Sequence, residues 1–347
     1  MQNPFTDFQL IKSRNIAIRA GQKRLLFDPI RVPHRWHTPN TTICISHAHS
    51  DHIAGFKTNI PKIATPETLE IYKSLTGIPK KVHAIRPGEN FALSDGGTIA
   101  LHSAGHMLGA AQFVLERNGA RLVYTGDFNL QSSLTAKGAK PIPCDILLME
   151  ATYGRPDAIF PPREQVYTEI ADWTSQELRK GKIPAFRVYA TGKAQELIRI
   201  INTYLTVPVV VEPPIAKISN VYQQYQIPLN FFNARSNEGR EIMRQGEYVF
   251  LTSEPLPPRR SHFGHKMSRA VATGWARIFP MKKFDKSFIL SAHADFHQLV
   301  EYVTNAQPQA VHLTCGNIVT FGAVLEKLNI KQIMPKARSQ LQLSDFL

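Results

Sequence analysis

The chain has 347 residues, 43% of them hydrophobic and 20% charged, which is a globular composition able to bury a large core in one large or two ordinary domains. No apolar run reaches the roughly 18 residues of a membrane-spanning helix. Met1–Leu10 is polar and lacks the basic flank and apolar stretch of a secretory signal. The formal net charge of +14 is spread along the chain and favours a polyanionic partner such as nucleic acid, because neutralising phosphates releases counterions.

The first third reads as short strands separated by Gly, Pro, Asn or Asp: 15–20, 23–30, 41–46, 98–104, 111–116 and 120–127. Between them, residues 66–75 have helical spacing, with Pro66 suited to a first turn. Residues 144–150 are almost all apolar, as expected of a strand buried on both faces. A Pro-rich connection after Tyr153 leads to an amphipathic helix over about 164–180, ended by Gly181. Strand and helix then alternate, with strands at 183–190, 207–212 and 247–253 and helices at 192–205 and 216–224. This pattern predicts a small parallel α/β unit. The stretch Pro255–Arg269 reads as a basic, histidine-containing loop. From Lys286 short strands and helices return.

Three widely spaced cysteines, Cys44, Cys144 and Cys315, do not make a disulfide framework, so a cytoplasmic or other intracellular, reducing setting is expected. Cys44 and Cys144 sit in apolar runs and read as core thiols.

The densest chemistry is Ser46-His47-Ala48-His49-Ser50-Asp51-His52, directly after a buried strand. His47 and His49, two apart on an extended chain, point to one side. After the turn, Asp51 and His52 can face a second position. Imidazole plus carboxylate suits Zn²⁺, with Mn²⁺ or Fe as further fits. His106 and Asp127 each lie at a strand end and are two further ligand candidates. Asp28, at the end of another strand, reads as a carboxylate orienting a ligand. His34, His37, His83, His102, His262, His265 and His297 read as structural or surface residues.

This ordered set resembles the metallo-β-lactamase superfamily, whose H-x-H-x-D-H motif is matched in full. The resemblance implies a first metal held by His47, His49, His106 and Asp127, and a second held by Asp51 and His52 with Asp127 bridging. The second half is similar to the β-CASP nucleases. The matching segments are Glu150-Ala151-Thr152-Tyr153-Gly154, Ala190–Leu197, Gly274-Trp275 and Ser291-Ala292-His293-Ala294-Asp295-Phe296. The last motif departs from the pattern. Cys315 stands where relatives carry His or Val, and could be a second-metal ligand or a neutral thiol. His312 is the alternative ligand three residues earlier.

The resemblance implies an α/β chain with a four-layered αββα metallo-β-lactamase fold (1–155 and 276–347) and an inserted small α/β β-CASP domain (156–275). It implies a metal-dependent nuclease carrying one or two Zn²⁺, with Mn²⁺ or Mg²⁺ possible at the second position. Asp51, His293, Glu150 and Asp28 are its expected catalytic residues. The substrate expectation is single-stranded nucleic acid, with 5′→3′ exonuclease action on DNA in repair set against RNA processing. No membrane partner is expected. A small-molecule hydrolase of the same fold and a non-catalytic nucleic-acid-binding paralogue are the competing readings.

Overall fold

Residues 4–11, 15–256 and 259–333 are described in a computed structural model of the chain. Met1–Asn3 of the polar N-terminal stretch, and Pro257 and Pro258 of the basic loop, lie outside the described residues. The chain divides into two compact units. One comprises 1–132, 137–158 and 293–347, and the other comprises 133–136 and 159–292.

The first unit begins with a helical turn, α1 (Pro4–Asp7), and a sheet of six strands among the described residues. These are β1 (Phe8–Leu10), β2 (Ile16–Ala20), β3 (Lys23–Phe27), β4 (Thr41–Cys44), β5 (Lys62–Ala64) and β6 (Val82–Ala84), adjacent in that order. The pairs β1–β2 and β2–β3 are antiparallel, and β3 to β6 run parallel. Helix α2 (Pro66–Leu75) takes the predicted residues. Pro66 fills its first turn and the Thr65 hydroxyl accepts the Thr68 N–H.

The second sheet contains β7 (Asn90–Ala92), β8 (Thr98–Ser103), β9 (Ala111–Arg117), β10 (Ala120–Tyr124) and β11 (Ile146–Ala151), all buried along β11 as its apolar run predicts. Two later strands join it beyond β11, as described below.

The second unit is the alternating segment: α3 (Arg163–Arg179), β12 (Ile183–Arg187), α4 (Lys193–Tyr204), β13 (Val209–Val211), α5 (Pro213–Gln224), β14 (Phe232–Asn233), α6 (Asn237–Gln245), β15 (Val249–Thr252), β16 (Met267–Ala272) and β17 (Lys286–Phe288). Its strands form a parallel sheet in the order β14-β13-β15-β12-β16-β17. Two expectations change here. Met267–Arg269 open β16 and are not loop: Met267 pairs with Ile183, and polar Ser268 is buried because its hydroxyl donates to Glu177. Residues 276–292 belong with this unit, because Lys286–Phe288 pair with Ala270–Ala272. The second junction therefore falls at 292/293, not at 275/276.

The chain then completes the first unit with α7 (Phe296–Ala306), β18 (Ala310–Gly316), α8 (Ile318–Lys327) and β19 (Lys331–Gln332). The second sheet has the order β19-β18-β11-β10-β9-β8-β7. Alternation along the strands sends side chains into separate layers. Leu25, Phe27 and Cys44 meet Leu101, Phe113, Leu122 and Leu148 between the two sheets. Leu26, Ile43 and Ile45 face the other way, under Trp36, Leu69 and Tyr72. On the far face of the second sheet, Gln112 of β9 accepts the Tyr302 hydroxyl of α7. This is the four-layered αββα arrangement, and the inserted unit makes the chain a two-part α/β protein.

Candidate metal centre

Apart from His293, which lies in the turn before α7, the residues of the predicted constellation lie at one edge of the first unit, at or just beyond the carboxyl ends of β3, β4, β8, β10, β11 and β18. β3 and β4 run parallel. So do β8 and β10, each antiparallel to β9, and β11 and β18. Ligand side chains therefore converge on that edge from rigid strands.

One turn is held in place against the start of α2. The turn carrying His106 is closed by Ala104 N–H to the Ala110 carbonyl at 2.9 Å, and the Gly109 carbonyl accepts the Thr65 and Thr68 hydroxyls at 2.7 and 3.0 Å. Gly105 turns this loop at φ +72°, and a side chain there would strike the Asn129 carbonyl.

His47 Nε2 lies 3.0 Å from His49 Nδ1, which lies 3.1 Å from His106 Nε2. Asp127 Oδ2 is 3.5 Å from His47 Nε2 and 3.9 Å from His106 Nε2. Four ligands about 2.0–2.1 Å from one Zn²⁺ stand roughly 3.3–3.4 Å apart in a tetrahedron. The observed spacings match that, so these four residues could hold one ion. The same Asp127 oxygen is 3.5 Å from His52 Nε2, which is also 3.5 Å from Asp51 Oδ2. Asp51 is the exposed one of these, with 63% of its side chain open. A second converging group is Asp28, His47 and His52.

Asp28 lies beneath. Its Oδ1 accepts the Ser46 N–H at 2.7 Å. Its Oδ2 accepts His52 Nδ1–H and the Tyr124 hydroxyl, each at 2.8 Å, and the Ser46 hydroxyl. Burial and the repulsion of His52, His49, His106 and His293 hold His47 well below the usual histidine range, leaving it neutral. Burial also works against charge on His52, but Asp127 and then Asp28 outweigh it and hold His52 well above that range. Burial pushes Asp127 up to about 7 against the pull of His52. A cation beside it would favour its charged form.

Beside these sets, His293 Nδ1 donates to Glu150, 3.0 and 2.9 Å from its two oxygens. Glu150 also accepts the Phe128 N–H at 2.8 Å and the Thr152 hydroxyl. Burial opposes its ionisation, but the His293 charge and these bonds hold it below the usual carboxylate range. Asp127, Glu150 and His293 form a further converging group.

Cys315 and His312 stand apart from all three groups among the described residues. His312 Nδ1 donates to the Ile333 carbonyl at 2.9 Å. Burial, with Asp127 and Glu150 nearby, raises the Cys315 thiol well above its ordinary value. The histidines expected to be structural or surface residues also stay outside these groups; His34 and His37 are exposed and stacked on each other.

Sequence reasoning gave no role to Tyr124, Thr152 or Asn129. Asn129 Nδ2 donates to the His293 carbonyl at 2.8 Å. Only its place two residues after Asp127 hinted at this.

Residues 2–212 match the family described as "Beta-lactamase superfamily domain". The chain is 29% identical over 317 residues to a "Probable DNA ligase" of Opitutus terrae, an alignment covering 88% of this chain and 30% of that protein. It is 27% identical over 280 residues to an "RNase J-like protein" of Methanocaldococcus jannaschii, covering 69% and 66%. It thus spans less than two thirds of either relative. A solved structure, of a protein of unknown function from Enterococcus faecalis V583, aligns with a TM-score of 0.66 at 14% identity over 96% of this chain and 97% of that one. This likeness is one of fold alone. The family match covers more than half of the chain, and with the four-layered sandwich it makes the chain a member of the β-lactamase superfamily.

Proposed function

We propose that this chain is a metal-dependent phosphodiesterase that hydrolyses single-stranded nucleic acid, acting on DNA from the 5′ end in a repair setting. One observation carries the hydrolytic reading: Asp127 Oδ2 lies 3.5 Å from both His47 Nε2 and His52 Nε2, beside a His293–Glu150 pair. The net charge of +14 favours a polyanionic substrate over a small ester. The long alignment to a protein named as a DNA ligase supports DNA, and the RNase J-like relative supports RNA as the second reading. The three free cysteines suit a reducing, intracellular setting, and among the described residues no helix is long and apolar enough to cross a membrane.

In this reading His47, His49, His106 and Asp127 hold one Zn²⁺, and Asp51, His52 and Asp127 hold a second ion, Zn²⁺, Mn²⁺ or Mg²⁺. Such ions supply Lewis acidity, neutralising phosphate charge and making water a stronger acid. Asp51, exposed at the edge, orients the attacking water. His293, oriented through Nδ1 by Glu150, holds the scissile phosphate or protonates the leaving oxygen. Asp28 keeps His52 oriented from behind.

The test is cleavage of end-labelled single-stranded DNA and RNA of matched sequence with Mn²⁺, Mg²⁺ or Zn²⁺, each with 5′-phosphate or 5′-hydroxyl ends. Stepwise loss from the 5′ end of DNA alone is expected. Cleavage of RNA alone would move the chain to RNA processing, and ester turnover without nucleic-acid cleavage would overturn the reading.

A further inference from the structure

Asp28 receives more hydrogen bonds than one ligand requires. One carboxylate oxygen is met by His52, Ser46 and Tyr124 together. The Ser46 hydroxyl also lies 2.8 Å from His47 Nδ1. A hydroxyl has one proton to give, and an ionised carboxylate can only accept. If Ser46 gives its proton to Asp28, it must accept one from His47 Nδ1–H. His47 is then the tautomer whose Nε2 is bare, and Nε2 is the atom facing His49 and Asp127. If the proton ran the other way, Nε2 would carry hydrogen and could not bind an ion. Ser46 is 1% exposed, so no bulk water competes for this choice.

The fold makes room for the arrangement. Gly126, at φ +56°, lies where any Cβ would come 2.7 Å from Ser46 Cβ and 2.8 Å from its hydroxyl oxygen. Tyr124 is buried, and burial with the Asp28 charge raises its hydroxyl well above the usual tyrosine range, so it remains a donor. Asp28 itself sits at φ +38°, a backbone conformation uncommon outside glycine, in which both its oxygens meet these donors.

We propose that Ser46 and Tyr124 are positioning residues which, through Asp28, set the ligating nitrogens of His47 and His52, one in each ligand set. Ser46 serves the His47 set directly, and Tyr124 serves the His52 set by fixing the carboxylate that His52 binds. The proposal rests on the metal-site reading above, but not on the substrate.

The experiment is titration of the metal-stripped full chain with Co²⁺ and Zn²⁺, read by bound-metal content and Co²⁺ absorption, for the wild type, Ser46→Ala and Tyr124→Phe. Ser46→Ala is expected to weaken the ion held by His47 by about 10–100-fold, and Tyr124→Phe to weaken the ion held by His52 by a similar factor. In each variant the other ion should stay within a few-fold of wild type. Long-range ¹⁵N–¹H spectra of the Zn²⁺-loaded wild type should show hydrogen on Nδ1 of His47, and this signature should be lost or mixed in Ser46→Ala. Wild-type affinities in both variants would overturn the proposal, as would hydrogen on Nε2 of His47. So would equal loss of both ions together with a lowered metal-free melting temperature, which would mark a purely structural role. Nucleic-acid cleavage by the same loaded wild-type sample tests the substrate reading separately, so either can fail alone.

Discussion

Glu150 Oε2 accepts a hydrogen bond from His293 Nδ1 at 2.9 Å, joining residues 143 apart in the chain. The carboxylate is 1% exposed and the imidazole is partly open. A buried carboxylate behind a half-open histidine fixes which nitrogen faces the substrate. Removing His293 as Ala should lower cleavage by about 10²–10⁴-fold, the usual contribution of a positioned proton donor or acceptor. Metal content should not change. Glu150→Gln keeps the shape but not the charge and should cost less, about 10–100-fold. Rates and metal content measured side by side check this, and loss of metal in His293→Ala would make it a ligand.

Asp51 is the most exposed member of the ligand sets. Its removal opens no cavity in the core, so Asp51→Ala should hold its melting temperature, with stability changing by no more than about 0.5 kcal/mol in metal-free protein. Cleavage should be abolished. A folded and fully active Asp51→Ala protein would sink the hydrolytic assignment.

Cys315 lies outside the converging ligand groups, and its environment favours the neutral thiol. Cys315→Val should therefore bind as many ions as wild type, counted by metal analysis of the purified protein. Loss of one ion would make the thiol a ligand after all.

The inserted unit holds a buried charge cluster whose pH behaviour is separable from metal. Glu196 accepts from Arg163 and, at 2.8 Å, from the Tyr167 hydroxyl, while Arg163 donates to the Ser291 carbonyl at 2.6 Å. Burial opposes ionisation of Glu196, but Arg163 and Lys193 hold it below the ordinary carboxylate value. Its stabilisation is thus present above the unfolded value near 4.5 and is lost as pH falls through the lower folded value. Glu196→Gln strands a buried guanidinium and should cost about 3–5 kcal/mol at neutral pH.

Lys193 in the same cluster behaves oppositely. Its ammonium is 3.8 Å from Glu196 but makes no hydrogen bond among the described residues, and burial with Arg163 lowers it to about 8. The folded state therefore sheds this proton before the unfolded state does, and stability should rise between about pH 8 and 10.5. Lys193→Met should be more stable than wild type at pH 7, by roughly 2–3 kcal/mol, and should lack the alkaline rise. Denaturant unfolding across pH, on metal-free protein, reads both effects.

The elements with strong local patterns were legible before any coordinates. Residues 66–75 carried helical spacing and a first-turn proline, and residues 144–150 were almost all apolar. β16 was harder to see. Its polar Ser268 is satisfied only by Glu177 of a distant helix, so the strand carries no alternation of its own. The same applies to the junction at 292/293, which depends on Lys286–Phe288 finding a partner in β16.

In the site, the sequence by itself determined the His47-His49-Asp51-His52 run, because ligands two to five positions apart on one turn converge through local geometry alone. The run and its order of companions also brought out the superfamily. The tertiary structure decided the rest. Asp28, Ser46 and Tyr124 meet only because β3, β4 and β10 end at one edge, and Glu150 meets His293 only because β11 and the turn before α7 do. Hydrogen bonds between buried side chains depend on positions fixed to a few tenths of an ångström, and only the packed strands supply that placement.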